Sequence, residues 1–268
     1  MSTPVQTAGG QRIADAFLAS GKRAALMPYL MGGFPDVERS LDIGLAYADG
    51  GADLVELGVP FSDPLADGPV IAAAGIAALR AGATVARVLE VCEGLAARVP
   101  VVLMCYANLV LIRGPEAFAA GLRDAGASGL IVPDLPMEEA PAVLAACDAA
   151  GIALVPLVAP TTPDERLHAI GSRARGFLYT VSVTGTTGER EAPLGERVAQ
   201  VVGRAKAATS VPVALGFGIT TPEQASEAAD AGADGVIVGS RLVREAAEAQ
   251  DPAAAVRGVV AALAAGLA

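Results

Sequence analysis

The chain has 268 residues, 53% of them hydrophobic and 18% charged, with a mean hydropathy of +0.50. That is enough apolar material for one large core and excludes a disordered chain, while no uncharged run reaches the ~18–20 residues of a spanning helix. A net charge of −10 without any Lys/Arg cluster argues against nucleic acid as the main partner.

The opening MSTPVQTAGG has neither a basic flank nor an apolar core, so no signal peptide is expected. A helix is expected ahead of the first strand. Short apolar runs then predict strands near 25–31 (ALMPYLM), 53–58 (DLVELG), 100–105 (PVVLMC) and 128–132 (SGLIV). Four more fall near 152–157 (IALVPL), 177–182 (FLYTVS), 211–215 (VPVAL) and 234–238 (DGVIV). Helical, alanine-rich sequence separates them, for example over 137–150 and 222–231. Thr220 and Thr221 supply an N-cap for the latter, with Pro222 in its first turn. Eight strands alternating with helices point to a single (β/α)8 barrel domain over residues 1–268. A doubly wound open sheet stays possible, although no G-x-G-x-x-G follows the first strand.

Cys92, Cys105 and Cys147 are odd in number and far apart, with no C-x-x-C pair. They read as buried small hydrophobes in a reduced, cytoplasmic compartment.

Two connections are longer than the rest. The one after the second strand holds VELGVPFSDPLADGP (55–69), dense in acids and prolines, and an extra helix before Val85. The one after the sixth strand holds the polar, glycine-rich TGTTGEREAPLG, and its 184–195 span is a candidate lid. In a (β/α)8 barrel both leave the C-terminal face, where chemistry is housed.

An internal echo singles out one of the acids. GADLVELGV at 51, GASGLIVPD at 126 and GADGVIVGS at 232 align without gaps, each starting on a Gly suited to end a helix in the left-handed conformation. Five residues on stand Ile131 and Ile237 in two copies and Glu56 in the first. If the copies are equivalent, Glu56 is a buried acid near the end of its strand, with its pKa raised towards proton-transfer duty. The alternative is a Glu on the helix-facing side paired with an Arg, because strand parity alone does not say which face is inside.

Several chemistries lack residues. His168 is the single histidine and lies in a helical stretch, so no multi-His metal site is available. Lys22 and Lys206, the two lysines, precede strands rather than lie on them, which disfavours a Schiff base. A Ser-His-Asp triad would have to recruit the helical His168, and no G-x-S-x-G is present. Carboxylates and tyrosines remain as acid/base groups. Glycine-bearing segments TGTTG (184–188), GFG (216–218) and VGS (238–240) follow consecutive strands. Converging backbone amides at such places bind phosphate without a cation, and Gly239-Ser240 opens a helix.

These residues together resemble the tryptophan synthase α subunit family. The likeness rests on ELGVPFSDPLADGP (56–69), YANLV (106–110), PDLPMEE (133–139), SVTGTTG (182–188), GFGI (216–219) and GSRLV (239–243), in family order over almost the whole chain. It implies a barrel that cleaves indole-3-glycerol phosphate to indole and glyceraldehyde 3-phosphate. By motif position Glu56 resembles the family's general acid/base, and Asp67 the carboxylate that holds the indole N–H. Tyr179 lines the site, Gly188, Phe217, Gly218, Gly239 and Ser240 match its phosphate positions, and Tyr29 and Met104 fall where the family lines its indole pocket. Met31 departs from the smaller or more polar residue common in relatives, which bears on pocket shape. No role is assigned to Asp63.

The resemblance further implies a β subunit as partner, commonly in an α2β2 assembly with YANLV and PDLPMEE near it. Pyridoxal phosphate is expected in that partner alone, with no cofactor or metal in this chain. With no metal cluster and no suitable lysine, the electron sink for a retro-aldol cleavage falls to the indole ring itself. The competing readings are another phosphate-binding barrel, of the sugar-phosphate isomerase or indole-3-glycerol-phosphate synthase type, and a non-catalytic regulatory barrel.

Overall fold

The computed structural model describes residues 7–181, 194–216 and 218–268. The candidate lid, Gly188 and Phe217 therefore lie outside the described residues, the lid but for its last two positions. Among these residues nine strands run β1 (Ala25–Met31), β2 (Val55–Gly58), β3 (Val101–Met104), β4 (Gly129–Ile131), β5 (Ala153–Val155), β6 (Leu157–Val158), β7 (Leu178–Val181), β8 (Val213–Gly216) and β9 (Gly235–Val238). They form one parallel sheet in the order β5-β4-β3-β2-β1-β9-β8-β7-β6.

The two ends of that order are consecutive in the chain. β5 and β6 are the single strand expected over 152–157, broken at Pro156. Proline has no N–H to extend a ladder. The strand therefore pairs with β4 before Pro156 and with β7 after it, while the Pro156 carbonyl accepts from Tyr179 N–H at 3.0 Å. One peptide segment thus joins both edges of the sheet, which makes it a (β/α)8 barrel and not the open doubly wound alternative.

Strand parity sorts the side chains. Val101 and Leu103 pack outward in the layer under the helices, and Val102 packs inward with Met27, Ile131, Val155, Ala214 and Ile237. The expected N-terminal helix, Ala8–Ala19, closes the end of the barrel where the strands begin, with Ile13 in the inner cluster beside Ala25, Leu54 and Phe177. Its approach is so close that a Cβ on Gly9 would lie 2.0 Å from the Ser128 carbonyl oxygen.

The internal echo is real in three dimensions. Gly51, Gly126 and Gly232 all have positive φ, as the left-handed helix ending requires. In the two GAD copies the aspartate performs the same task. Asp53 accepts from Leu26 N–H at 2.7 Å and pairs with Lys22 at 2.8 Å. Asp234 accepts from Val213 N–H at 2.9 Å and pairs with Lys206 at 2.8 Å. Both lysines are thereby committed at the ends where strands start.

The helices otherwise follow the sequence, with one shortened. The stretch expected to be helical over 137–150 is helical from Pro141 to Ala150. Pro141 sits at the first helical position, where its missing N–H costs nothing, and residues 137–139 form a turn before it. The helix Pro222–Asp230 begins as expected, with the Thr221 side chain accepting from Gln224 N–H. The connection after β2 carries two helices, Pro69–Arg80 and Val85–Ala96. Cys92, Cys105 and Cys147 are buried and unbridged. Among the described residues no single helix is long and apolar enough to cross a membrane.

Candidate active site

At the C-terminal ends of the strands lies a cavity of about 350 Å³. Tyr29, Glu56, Asp67, Met104, Tyr179, Gly218, Gly239 and Ser240 all line it, so every described candidate from the sequence converges on one place.

Glu56 stands in register with Tyr29 on β1 and Val102 on β3. Val102 belongs to the inner cluster, so Glu56 faces the barrel interior with only 1% of its surface exposed. The alternative of an outward Glu paired with an Arg is ruled out. No ion pair reaches it among the described residues, and its Oε2 is buried without a hydrogen-bond partner. Burial, and secondly the charge of Asp67, push its carboxyl up to about 8. At neutral pH this side chain is a protonated acid.

The prolines and acids that follow β2 build a shelf over the barrel mouth. Leu65 N–H donates to the Asp63 carbonyl at 2.9 Å and Asp67 N–H to the Pro64 carbonyl at 3.1 Å, tight turns that bring the chain back over the mouth. Gly68 then caps the helix Pro69–Arg80, with Pro69 in its first turn. Asp67 thus sits just ahead of a helix N-terminus, where a negative charge is favoured. It is half-buried. Partial burial raises its carboxyl, and the neighbouring Tyr106 hydroxyl opposes that rise. Asp63 is exposed, accepts from the Ser62 hydroxyl at 2.5 Å, and does not line the cavity.

Two tyrosines lean across their neighbours. Tyr29 on β1 reaches over Gly58 on β2, and Tyr179 on β7 reaches over Gly216 on β8. Both hydroxyls are held well above their ordinary pKa, chiefly by burial, and remain protonated donors. Met31 does not line the cavity. It packs behind Tyr29, whose hydroxyl lies 3.9 Å from its sulfur, among Ala74, Ala78 and Val243.

Gly239 caps the helix Ser240–Glu248, and the first amides of any helix have no acceptor within it. With Gly218 on the facing loop they line the cavity's edge, where free helix amides can receive an anion. Arg244 lines the same edge and forms no ion pair among the described residues. Sequence reading missed it, though its spacing of four from Ser240 places both on one helix face. Thr220, Ile219 and Ile237 were missed as well, and Ile237 stood in the internal echo.

His168 is exposed in the last turn of the helix Asp164–Gly171, away from the cavity. Among the described residues no group of three or more His, Cys, Asp and Glu is placed to hold a metal. A larger hollow of about 490 Å³ lies outside the barrel between the helix Pro141–Ala150 and β5–β6. Its walls are mostly apolar, and its one carboxylate, Asp148, is engaged by Arg175 at 3.2 Å.

Residues 16–266 match the family model described as the tryptophan synthase alpha chain. Tryptophan synthase alpha chains from Prochlorococcus marinus and Methanosarcina acetivorans are 50% and 47% identical to this chain over 229 and 238 residues. Those alignments cover 85% and 88% of this chain and 83% and 86% of the relatives. Tryptophan synthase from M. tuberculosis in its open form superposes with a TM-score of 0.87 at 39% identity, covering 98% of this chain and 99% of that one. The subunit alpha from Legionella pneumophila superposes with a TM-score of 0.87 at 34% identity, over 97% and 98% of the two chains.

Proposed function

This chain belongs to the tryptophan synthase alpha chain family, and from that premise we propose how its cavity performs the reaction. It is a carbon–carbon lyase of tryptophan biosynthesis that cleaves indole-3-glycerol phosphate to indole and glyceraldehyde 3-phosphate. Glu56 is the general acid and then the general base. As a protonated acid it delivers its proton to ring carbon 3, and the ring becomes an iminium. The electrons of the bond to the glycerol side chain then flow into that iminium, releasing indole. The Glu56 carboxylate takes the proton of the glycerol hydroxyl as the aldehyde forms, and the acid is regenerated. The observation that carries this reading is the unpaired, buried Glu56 carboxyl, raised to about 8 inside the cavity.

Asp67 remains ionised and accepts from the indole N–H, stabilising the positive charge that develops there. Tyr29, Met104 and Tyr179 wall the ring. The phosphate is held at Gly218, Gly239 and Ser240, with Gly188 and Phe217 completing the set by motif position and Arg244 adding a cation at the rim. Residues 1–268 act as one barrel domain with no cofactor or metal of its own.

The family implies a β subunit as partner, and the pyridoxal phosphate belongs to that subunit. We place the partner on the face carrying YANLV and PDLPMEE, in an α2β2 assembly. A synthase of the lysine-dependent type is disfavoured because both lysines are tied to aspartates at the far end of the barrel. A purely regulatory barrel has no use for a buried carboxyl that costs stability.

The test is indole release from indole-3-glycerol phosphate by the isolated chain and by Glu56→Gln, before and after adding a β subunit. Glu56→Gln should fold and lose roughly two orders of magnitude or more of turnover. Near-wild-type cleavage in that variant removes Glu56 from the mechanism.

A further inference from the structure

The hydroxyl beside Asp67 comes from Tyr106, which grips the shelf at Ala66, forty positions away in sequence. Tyr106 follows β3 and caps the short helix Ala107–Leu111, with only 5% of its surface exposed. Its oxygen accepts from Ala66 N–H at 3.0 Å. Its ring stacks on Phe61, centroids 5.1 Å apart and planes 26° from parallel. It therefore holds the acid–proline shelf at two points, one on each side of the turn that precedes Asp67.

A hydroxyl has one proton to give and two lone pairs to accept with. With Ala66 N–H occupying a lone pair, the proton is free to turn towards the neighbouring carboxylate of Asp67, whose acidity that hydroxyl favours. We propose that Tyr106 is a positioning residue for the cleavage reaction: bracing the shelf through Ala66 and Phe61, it aims the Asp67 carboxylate into the cavity and keeps it ionised. The proposal rests on the assignment of Asp67 to the substrate's N–H.

The charged and titratable groups around Asp67 come from every side of the mouth. Glu56 faces it from β2 and Tyr29 from β1, while Arg244 lines the cavity from the helix Ser240–Glu248. Tyr179 from β7 acts on Tyr29 and is itself raised by Glu56, and Asp134 lies behind Tyr106. Glu56 is protonated at neutral pH and Tyr29 is itself buried and protonated, so among the described residues the Tyr106 hydroxyl is the group that favours the Asp67 anion. Removing that hydroxyl makes protonation of Asp67 easier.

The experiment is Tyr106→Phe, which keeps the stacked ring and deletes the oxygen. Steady-state cleavage across pH should show kcat lowered roughly tenfold, KM changed by less than about threefold, and the acid limb moved to higher pH. In the Asp67→Asn background the same substitution should cost little more, because the carboxylate it serves is gone. An acid limb that stays in place, or a loss that multiplies in full with Asp67→Asn, overturns the proposal. Difluorotyrosine at position 106 provides a variant that keeps every contact. As a stronger donor it should move the acid limb to lower pH, and no movement counts against the proposal even if Tyr106→Phe misfolds. If Asp67→Asn alone leaves turnover intact, it is the role of Asp67 that fails. If Asp67→Asn abolishes turnover while Tyr106→Phe changes nothing, the fault lies with Tyr106.

Discussion

The hydroxyl of Tyr29 occupies the space a side chain on Gly58 would need: a Cβ there would stand 2.0 Å from that oxygen and 2.6 Å from the ring carbon bearing it. Gly58 lies two residues beyond Glu56 on the same strand and therefore on the same face. The missing side chain lets a phenol fold down beside Glu56, the proposed acid. Gly58→Ala should push the ring towards the cavity centre, raising KM and lowering kcat together by about tenfold or more. A wild-type kcat/KM in that variant would show that the ring has room to retreat.

Glu56 makes the folded protein less stable than its surroundings allow. Its carboxyl is raised from the ordinary 4.5 to about 8 in the folded state. Stability from this group is full below pH 4.5, where both states are protonated, and is lost as pH rises from 4.5 to about 8. At pH 7 the loss is on the order of 3 kcal/mol. Glu56→Gln should therefore unfold at higher denaturant than wild type at pH 7 and lose that advantage below about pH 4.5. Equal stabilities at pH 7 would mean the carboxyl is not shielded as described.

Asp67 raises the Glu56 carboxyl through its charge. Asp67→Asn should consequently lower the Glu56 pKa, which a ¹³C carboxyl titration reads independently of turnover. Turnover itself should fall by roughly two orders of magnitude, mainly in kcat, because the lost interaction is strongest as positive charge develops on the ring. An effect confined to KM would assign Asp67 to binding only.

Leu111 and Ile112, just past YANLV, are 58% and 75% exposed. Two large apolar side chains at the end of a helix are poorly placed for water and well placed for a partner. The double substitution Leu111→Asp with Ile112→Asp should weaken β-subunit binding about tenfold or more in a titration and leave indole release by the isolated chain unchanged. Unaltered affinity would move the interface elsewhere.

The strand order and the acid in the second strand were legible in the sequence because they depend on local pattern. Apolar runs of strand length, left-handed glycines ending helices, and the GAD copies repeat wherever the same supersecondary unit repeats. That Gly218 and Gly239 fall at the strand ends that line the cavity was legible for the same reason, since they follow strands at fixed offsets. Tertiary structure decided the rest. Period-two alternation does not say which face of β2 looks inward, and only pairing with Tyr29 and Val102 sets Glu56 in the interior. Local pattern likewise gave one fifth strand, but the neighbours on either side draw its halves apart at Pro156. Nothing in the loop's own sequence sets the burial of Asp67, which the barrel mouth leaves half-buried. Burial and hydrogen bonds between distant segments set the acidity of a side chain, and those distances exist only once the barrel has closed.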